Sequence, residues 1–479
     1  MRIVLPFVLA SAFQAALSRA SDTFNYTETT IDKLQDAIVS QQLSVKKIVQ
    51  HYLDVIDQLN HKGPQLNGVI ETSPTALAQA ATQDLFGNQS TLLHGIPILI
   101  KDNIATTGDG LTACAGSFAM EGNIAPRDAF LVQKLRTAGA IVLGHANMVE
   151  WANWRSVTDS VDWRYHPPLL TMFQTNSSRS ARGGITKNPY VLTAPTTGSS
   201  SGPALTVAAN MIPVAIGTES VIAGFDPKDR ASKDAPVPEY SQTYNALTSL
   251  KNVRVAISKQ ANTDTTNHYL SPAQVNAFNK GVEKLKELGA DIVYAPYPNA
   301  AALWKSECDY VAMKTEFKVD LEEYLSTLTW KEGVTPMRTL QDITDYNAAH
   351  PDTELNVLDQ SLMLESLNSP NKTSSTYLDA LALCQDLAVT NGIEKYIKDT
   401  QADVIFALTL TWSLAHNSPG YHSIAGWPIL SVPLGYDHSV PFGVSFVTPK
   451  YQEEKLLQYG YLFEQATKAR VAPQFLPDN

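Results

Sequence analysis

The stretch "TTGSSSGPALTVAANMIPVAIGTES", Thr196–Ser220, decides how this chain is read. A Gly/Ser-rich turn opens it, Pro203 suits the start of a helix, and Val214–Gly217 has the unbroken apolar character of a buried strand. Small residues in the turn allow close backbone approach, while hydroxyls and N–H groups converge at the positive end of the helix that follows. Turn, helix and strand in immediate succession point to a layered α/β arrangement.

The same rhythm extends in both directions. Upstream, "GIPILI" (Gly95–Ile100) predicts a strand buried on both faces. Asp128–Ala138 predicts a helix stopped by Gly139 and followed by the strand-like "AIVLG". Further back, Ser44 caps a segment whose apolar residues Val45, Ile48, Val49, Tyr52, Leu53, Ile56 and Leu59 fall on one helix face. Downstream, the polar, Pro-rich "PKDRASKDAPVPEY" reads as a connecting loop. "NVRVAIS", a helix over Pro272–Leu288, strand-like "ADVIFAL", "WPILSVPLG" and "FGVSFV", and a closing helix over Glu453–Lys468 complete the pattern. The expectation is an α/β fold in a single large domain, with a central mixed sheet covered by helices.

Composition narrows the classes of function. The 479 residues are 44% hydrophobic and 17% charged with a net charge of -11, so no basic footprint for nucleic acid is present. The opening "MRIVLPFVLASAFQAALSRA" carries one early cation, an apolar run and small residues at Ser18 and Ala20. It predicts a signal peptide over 1–20 and a secreted protein, because the run falls short of the about 20 residues of a membrane span. No membrane association is expected after cleavage. Sequons at Asn25, Asn88, Asn176 and Asn371 suit a glycoprotein on the export route. Cys114, Cys308 and Cys384 are too few and scattered for a disulfide framework or a CxxC metal site, and allow at most one pair and one free thiol.

Lys101 ends the predicted strand and is followed by Asp102 and Asn103. Burial disfavours the ammonium, so a lysine there can act as a base in its neutral form. By itself the position equally allows a side chain that reaches back to solvent from a strand end.

Taken together, "LHGIPILIKDNI", "LRTAGAIVLGHANMVEWAN", "SARGGITKNPY", "GSSSGPALTVAAN", "AIGTE", "IAGWPILSVPLGY" and "FEQATKAR" resemble the amidase signature family, in the family's order and over nearly the whole mature chain, 21–479. The resemblance implies the amidase signature fold and hydrolysis of carboxylic amides by a Ser-Ser-Lys triad, with no metal or organic cofactor and a small-molecule amide as partner. Lys101 matches the basic lysine. An ungapped fit to G-G-S-S-[GS]-G puts the relay serine, carried on a cis peptide bond, at Ser199; fitting the final S-S-G gives Ser200. Thr197 replaces the first glycine.

The nucleophile belongs just after "GTE", in a [DE]-x-G-G-S-[IV] or T-D-G-S-I segment. Here Glu219 is followed by Ser220, Val221, Ile222 and Ala223, and the ungapped count puts the nucleophile position on Ala223. The text then resembles a family region normally several dozen residues later. An apparent deletion after Glu219 would remove the nucleophile, the oxyanion-hole donors and a "G-x-K-P-T" core strand, leaving the chain inactive or strongly impaired. Ser220 is a substitute nucleophile only if the rewired loop brings it to Ser199 or Ser200. A second departure, the apparent insertion over 157–179, suggests one cause for both: a retained intron and dropped coding sequence. Two other readings compete. One is a secreted pseudoenzyme that keeps an amide-binding cleft. The other is a Ser-His-Asp esterase in which "GSSSG" supplies Ser200 and His416 or His422 the base.

Overall fold

The computed structural model describes residues 24–86, 91–156, 178–218, 226–228, 232, 244–258, 262, 270–356, 359–409 and 420–477. The expected signal peptide, nearly all of the apparent insertion, and Glu219, Ser220 and Ala223 at the apparent deletion lie outside them.

All five residues of strand β2 (Pro97–Lys101) are buried, as an unbroken apolar run requires. The strand runs parallel to β4 (Ile141–Ala146), also buried throughout, and to β7 (Ala215–Ile216). β1 (Val69–Thr72) pairs antiparallel with β4, giving the order β1-β4-β2-β7. The helix Val45–Ile56 covers this sheet with the predicted stripe: Val45, Ile48, Val49, Tyr52 and Ile56 are buried against Ile98, Leu99, Ile100 and Val142. Ser44 accepts a hydrogen bond from the Lys47 N–H as its N-cap. Burying each of these large side chains contributes about 1.5–3 kcal/mol.

Two short antiparallel pairs stand apart, β3 (Asn123–Ile124) with β10 (Thr329–Trp330), and β5 (Arg179–Ser180) with β6 (Gly184–Ile185). The second large sheet joins β8 (Arg254–Ile257), β9 (Asp291–Tyr294), β11 (Val404–Thr409), β12 (Ile429–Asp437) and β13 (Val440–Val447) in the order β12-β13-β11-β8-β9. β8 is parallel to both neighbours, and β13 antiparallel to both of its own. The helices Pro272–Glu287 and Glu453–Thr467 cover it, and Phe278, Phe406, Phe446 and Phe463 interlock in its core.

The fold is therefore α/β, one domain of mixed sheets and helices. Among the described residues the larger strands fall into a four-stranded and a five-stranded sheet. The strand predicted at Val214–Gly217 shortens to two half-buried residues at a sheet edge. A cavity of about 760 Å³ lies between the two sheets, with Val207, Ile212 and Pro213 on one wall and Val432, Pro433 and Phe442 on the other.

A helical block that the sequence pattern did not reveal spans Ala300–Thr400, including the 20-residue helix Cys308–Thr327. A disulfide joins Cys308 to Cys384, and Cys114 is free and buried. Closing a loop of 76 residues stabilises the folded chain by about 4 kcal/mol on the chain-entropy argument. Thiol titration of the denatured protein should therefore count one cysteine before reduction and three after it. The Cys308→Ala/Cys384→Ala variant should unfold at a lower urea concentration.

Candidate active site

Lys101 is the last residue of β2 and is fully buried. The chain turns at once: the Asp102 N–H donates to the Ala146 carbonyl and the Ile104 N–H to that of Lys101. A buried amine needs acceptors, and three hydroxyls converge on it. Nζ donates to Ser199 Oγ at 2.7 Å, to Ser200 Oγ at 3.0 Å and to Thr218 Oγ1 at 2.7 Å.

The Gly/Ser turn is shaped by contacts that only glycine permits. A Cβ on Gly198 would lie 2.5 Å from Val149 Cγ2, and one on Gly202 would lie 2.2 Å from the Asn147 carbonyl oxygen. The Val149 N–H donates to the Ser199 carbonyl and the Gly202 N–H to that of Asn147, so the turn is stitched to the segment after β4. The Gly198–Ser199 peptide bond is cis. Ser200 is the N-cap of the helix Ser201–Ala208, yet its side chain makes no capping hydrogen bond; it accepts instead from Lys101 and, at 3.3 Å, from the Thr218 N–H. Pro203 is the third residue of that helix rather than its first.

The structure thus brings Lys101, Ser199 and Ser200 together. His422 lies 3.2 Å from Ser423 Oγ through Nε2, and His416 and Ser220 are outside the described residues. Thr218 was not singled out from sequence, although its position two residues beyond a strand paired with β2 was a usable signal. Asn103 also reaches Thr218 Oγ1, at 3.4 Å.

On the opposite side of the strand end lies a buried ion network. Asp102 Oδ1 is 3.2 Å from His145 Nδ1 and 3.4 Å from the Arg182 guanidinium, and Asp102 Oδ2 accepts the Gly116 N–H. Glu71 approaches the same two cations, at 3.3 and 3.4 Å, and accepts the Thr112 N–H. Glu71, Asp102 and His145 could geometrically hold a metal ion, but Arg182 already supplies a fixed positive charge to both carboxylates. The set fits an internal ion network better than a metal centre.

Burial alone would push the His145 pKa down, but the contacts with Asp102 and Glu71 outweigh it and raise it to about 9. A pKa raised above the unfolded value gives stability that is complete below the ordinary histidine pKa and is lost as pH rises through the folded value. Unfolding free energy should therefore fall between about pH 6.5 and 9, and His145→Gln should flatten that slope. Urea titrations across this range check it.

Fold and site define the class, a hydrolase built on a buried lysine and a serine-rich turn. The Amidase family model matches residues 47–221 and 220–457, and the chain belongs to the amidase signature family. It is 31% identical to "Probable amidase At4g34880" of Arabidopsis thaliana, over 98% of this chain and 96% of the relative. It is 27% identical to "Putative amidase C869.01" of Schizosaccharomyces pombe, over 94% of this chain and 87% of that one. The peptide amidase of Stenotrophomonas maltophilia superposes with a TM-score of 0.81 at 30% identity, covering 94% of this chain and 99% of that one.

Proposed function

We propose that the chain derives from a secreted hydrolase of carboxylic amides using a Ser-Ser-Lys triad, and that as written it lacks the nucleophile and is inactive or strongly impaired. The observation that carries the reading is the convergence of Ser199 Oγ and Ser200 Oγ on Lys101 Nζ, at 2.7 and 3.0 Å. In the complete site a neutral Lys101 accepts the Ser199 hydroxyl proton, while Ser199 takes that of the nucleophilic serine, whose oxygen bonds to the amide carbon. Return of the proton along the same path to the departing nitrogen breaks the C–N bond, and water then hydrolyses the acyl-enzyme. Ser200 and Thr218 hold the lysine amine in place.

Two findings support a lost segment. The family model matches in two pieces that meet at Ser220 and Val221, beside the point where the sequence departs from the family's motif. The alignment with the Arabidopsis relative extends over 538 positions against 479 residues here, so the relative holds residues this chain lacks. Secretion is supported by the N-terminal apolar run, by the disulfide, and by exposed sequon residues Asn25 and Asn371.

The purified chain should neither hydrolyse simple aliphatic or aromatic amides nor react with a fluorophosphonate probe. A version with the relatives' segment restored after Glu219 should do both, and Lys101→Ala in that background should cost at least about 100-fold in turnover. Turnover by the chain as written, abolished by Lys101→Ala, would overturn the lost-nucleophile reading. Protein secreted from a eukaryotic host should lose mass on treatment with an N-glycosidase.

A further inference from the structure

Three hydroxyls meet Lys101 Nζ, and they differ in what lies beyond them. Thr218 lines a cavity of about 510 Å³ together with Asn103, Ile104, Phe130, Leu131 and Tyr324, whereas Ser199 and Ser200 do not line it. Of the three, Thr218 is the hydroxyl that a molecule in this cavity reaches. Its oxygen lies 2.7 Å from the lysine amine and 3.4 Å from Asn103 Nδ2, and its N–H donates to Ser200 Oγ at 3.3 Å.

Nucleophilic catalysis asks for a hydroxyl within hydrogen-bond reach of a base, further groups that orient the base, and room for a substrate on the open side. Here Ser199 and Ser200 orient Lys101, and the bond from the Thr218 N–H to Ser200 fixes the threonine against the same turn. Burial disfavours the ammonium, so the line along which Nζ donates to Oγ1 is also the line along which Oγ1 passes its proton to a neutral amine. Asn103 lines the cavity beside Oγ1 and presents an amide N–H to a carbonyl oxygen that arrives there.

The geometry points to Thr218 as a nucleophile in its own right, one that takes an acyl group directly from activated carboxylic esters such as aryl acetates. The inference rests on the reading that the family's serine and its oxyanion-hole donors are lost from this chain. The Oγ1 proton passes to Nζ, Oγ1 bonds to the ester carbonyl carbon, and the C–O bond to the aryl group breaks with its electron pair leaving on the phenolate. Lys101 then gives its proton to that phenolate. Attack of water on the acyl-threonine ester releases the carboxylic acid and restores the hydroxyl. A phenolate departs without prior protonation, whereas an amine does not. With one side-chain donor in place of a set of backbone N–H groups, simple amides and fluorophosphonates stay unreacted.

The test uses the chain as it exists, treated with p-nitrophenyl acetate and mapped by mass spectrometry. The acetyl group should be found on Thr218 as a hydroxylamine-labile ester, and its formation should quicken with rising pH as Lys101 loses its proton. Thr218→Val leaves Lys101 two hydroxyl acceptors and should lose this adduct while still unfolding cooperatively in urea. Thr218→Ser should regain it. Lys101→Met should slow acetylation at Thr218 at least about 100-fold.

An ester on Ser199 or Ser200 instead, acetyl groups confined to amines, or a Thr218 adduct that forms as fast in Lys101→Met would overturn the assignment. Amide hydrolysis by the segment-restored protein tests the parent reaction separately. Acetylation of Thr218 alongside an inactive restored protein sinks the amide chemistry and leaves this inference standing; an active restored protein with no acetyl group on Thr218 of the present chain does the reverse.

Discussion

A lysine amine with no exposure to water is the constraint on which the site is built. Taking such a group out of solvent costs several kcal/mol unless its donors are met. Lys101 meets them with hydroxyls from two parts of the chain, the Gly/Ser turn and the residue pair after β7. That explains why the turn must be so tightly sewn to the segment after β4, and why glycine stands where any Cβ would collide with that segment.

The neighbouring residue completes the frame from the other side. Successive side chains of an extended strand face opposite ways, so the residue after Lys101 is carried toward β4 and the Thr112–Gly116 loop. There Asp102 meets His145, Arg182 and the Gly116 N–H. The lysine side of the strand end is lined by neutral hydroxyls, while the aspartate side is a closed set of opposite charges. The carboxylates of Asp102 and Glu71 are met there by His145 and Arg182.

What sequence could disclose followed from periodicity and local chemistry. The helix Val45–Ile56 and strand β2 were legible because each buries a regular set of positions, one face for the helix and every residue for the strand. Lys101 was legible by its position at the end of that strand, and Ser199 and Ser200 by their place in a turn that resembled a family motif. Thr218 was not, because a threonine beyond a strand has no distinctive pattern until the strand's neighbours are known. The helix Cys308–Thr327 was hidden for a similar reason: it buries Cys308, Ala312, Thr315 and Leu325, of which only Leu325 is a large apolar side chain, and so shows no strong apolar stripe.

Among the described residues no ladder joins the two sheets, which raises the question of what does. The C-terminal segment supplies part of the answer. Arg470 binds Glu28 through two guanidinium nitrogens, each at 2.7 Å, and also donates to the Ala208 carbonyl and the Tyr190 hydroxyl. Beyond it, the Phe475 and Leu476 N–H groups donate to the carbonyls of Pro189 and Tyr190, and Leu192 returns a bond to Leu476. The helix Glu453–Thr467 that precedes this segment belongs to the core of the five-stranded sheet, whereas Phe475 packs against the core of the other. A tail that crosses from one core to the other couples them through directional bonds at a partly exposed surface, and each such bond is worth far less than a buried strand.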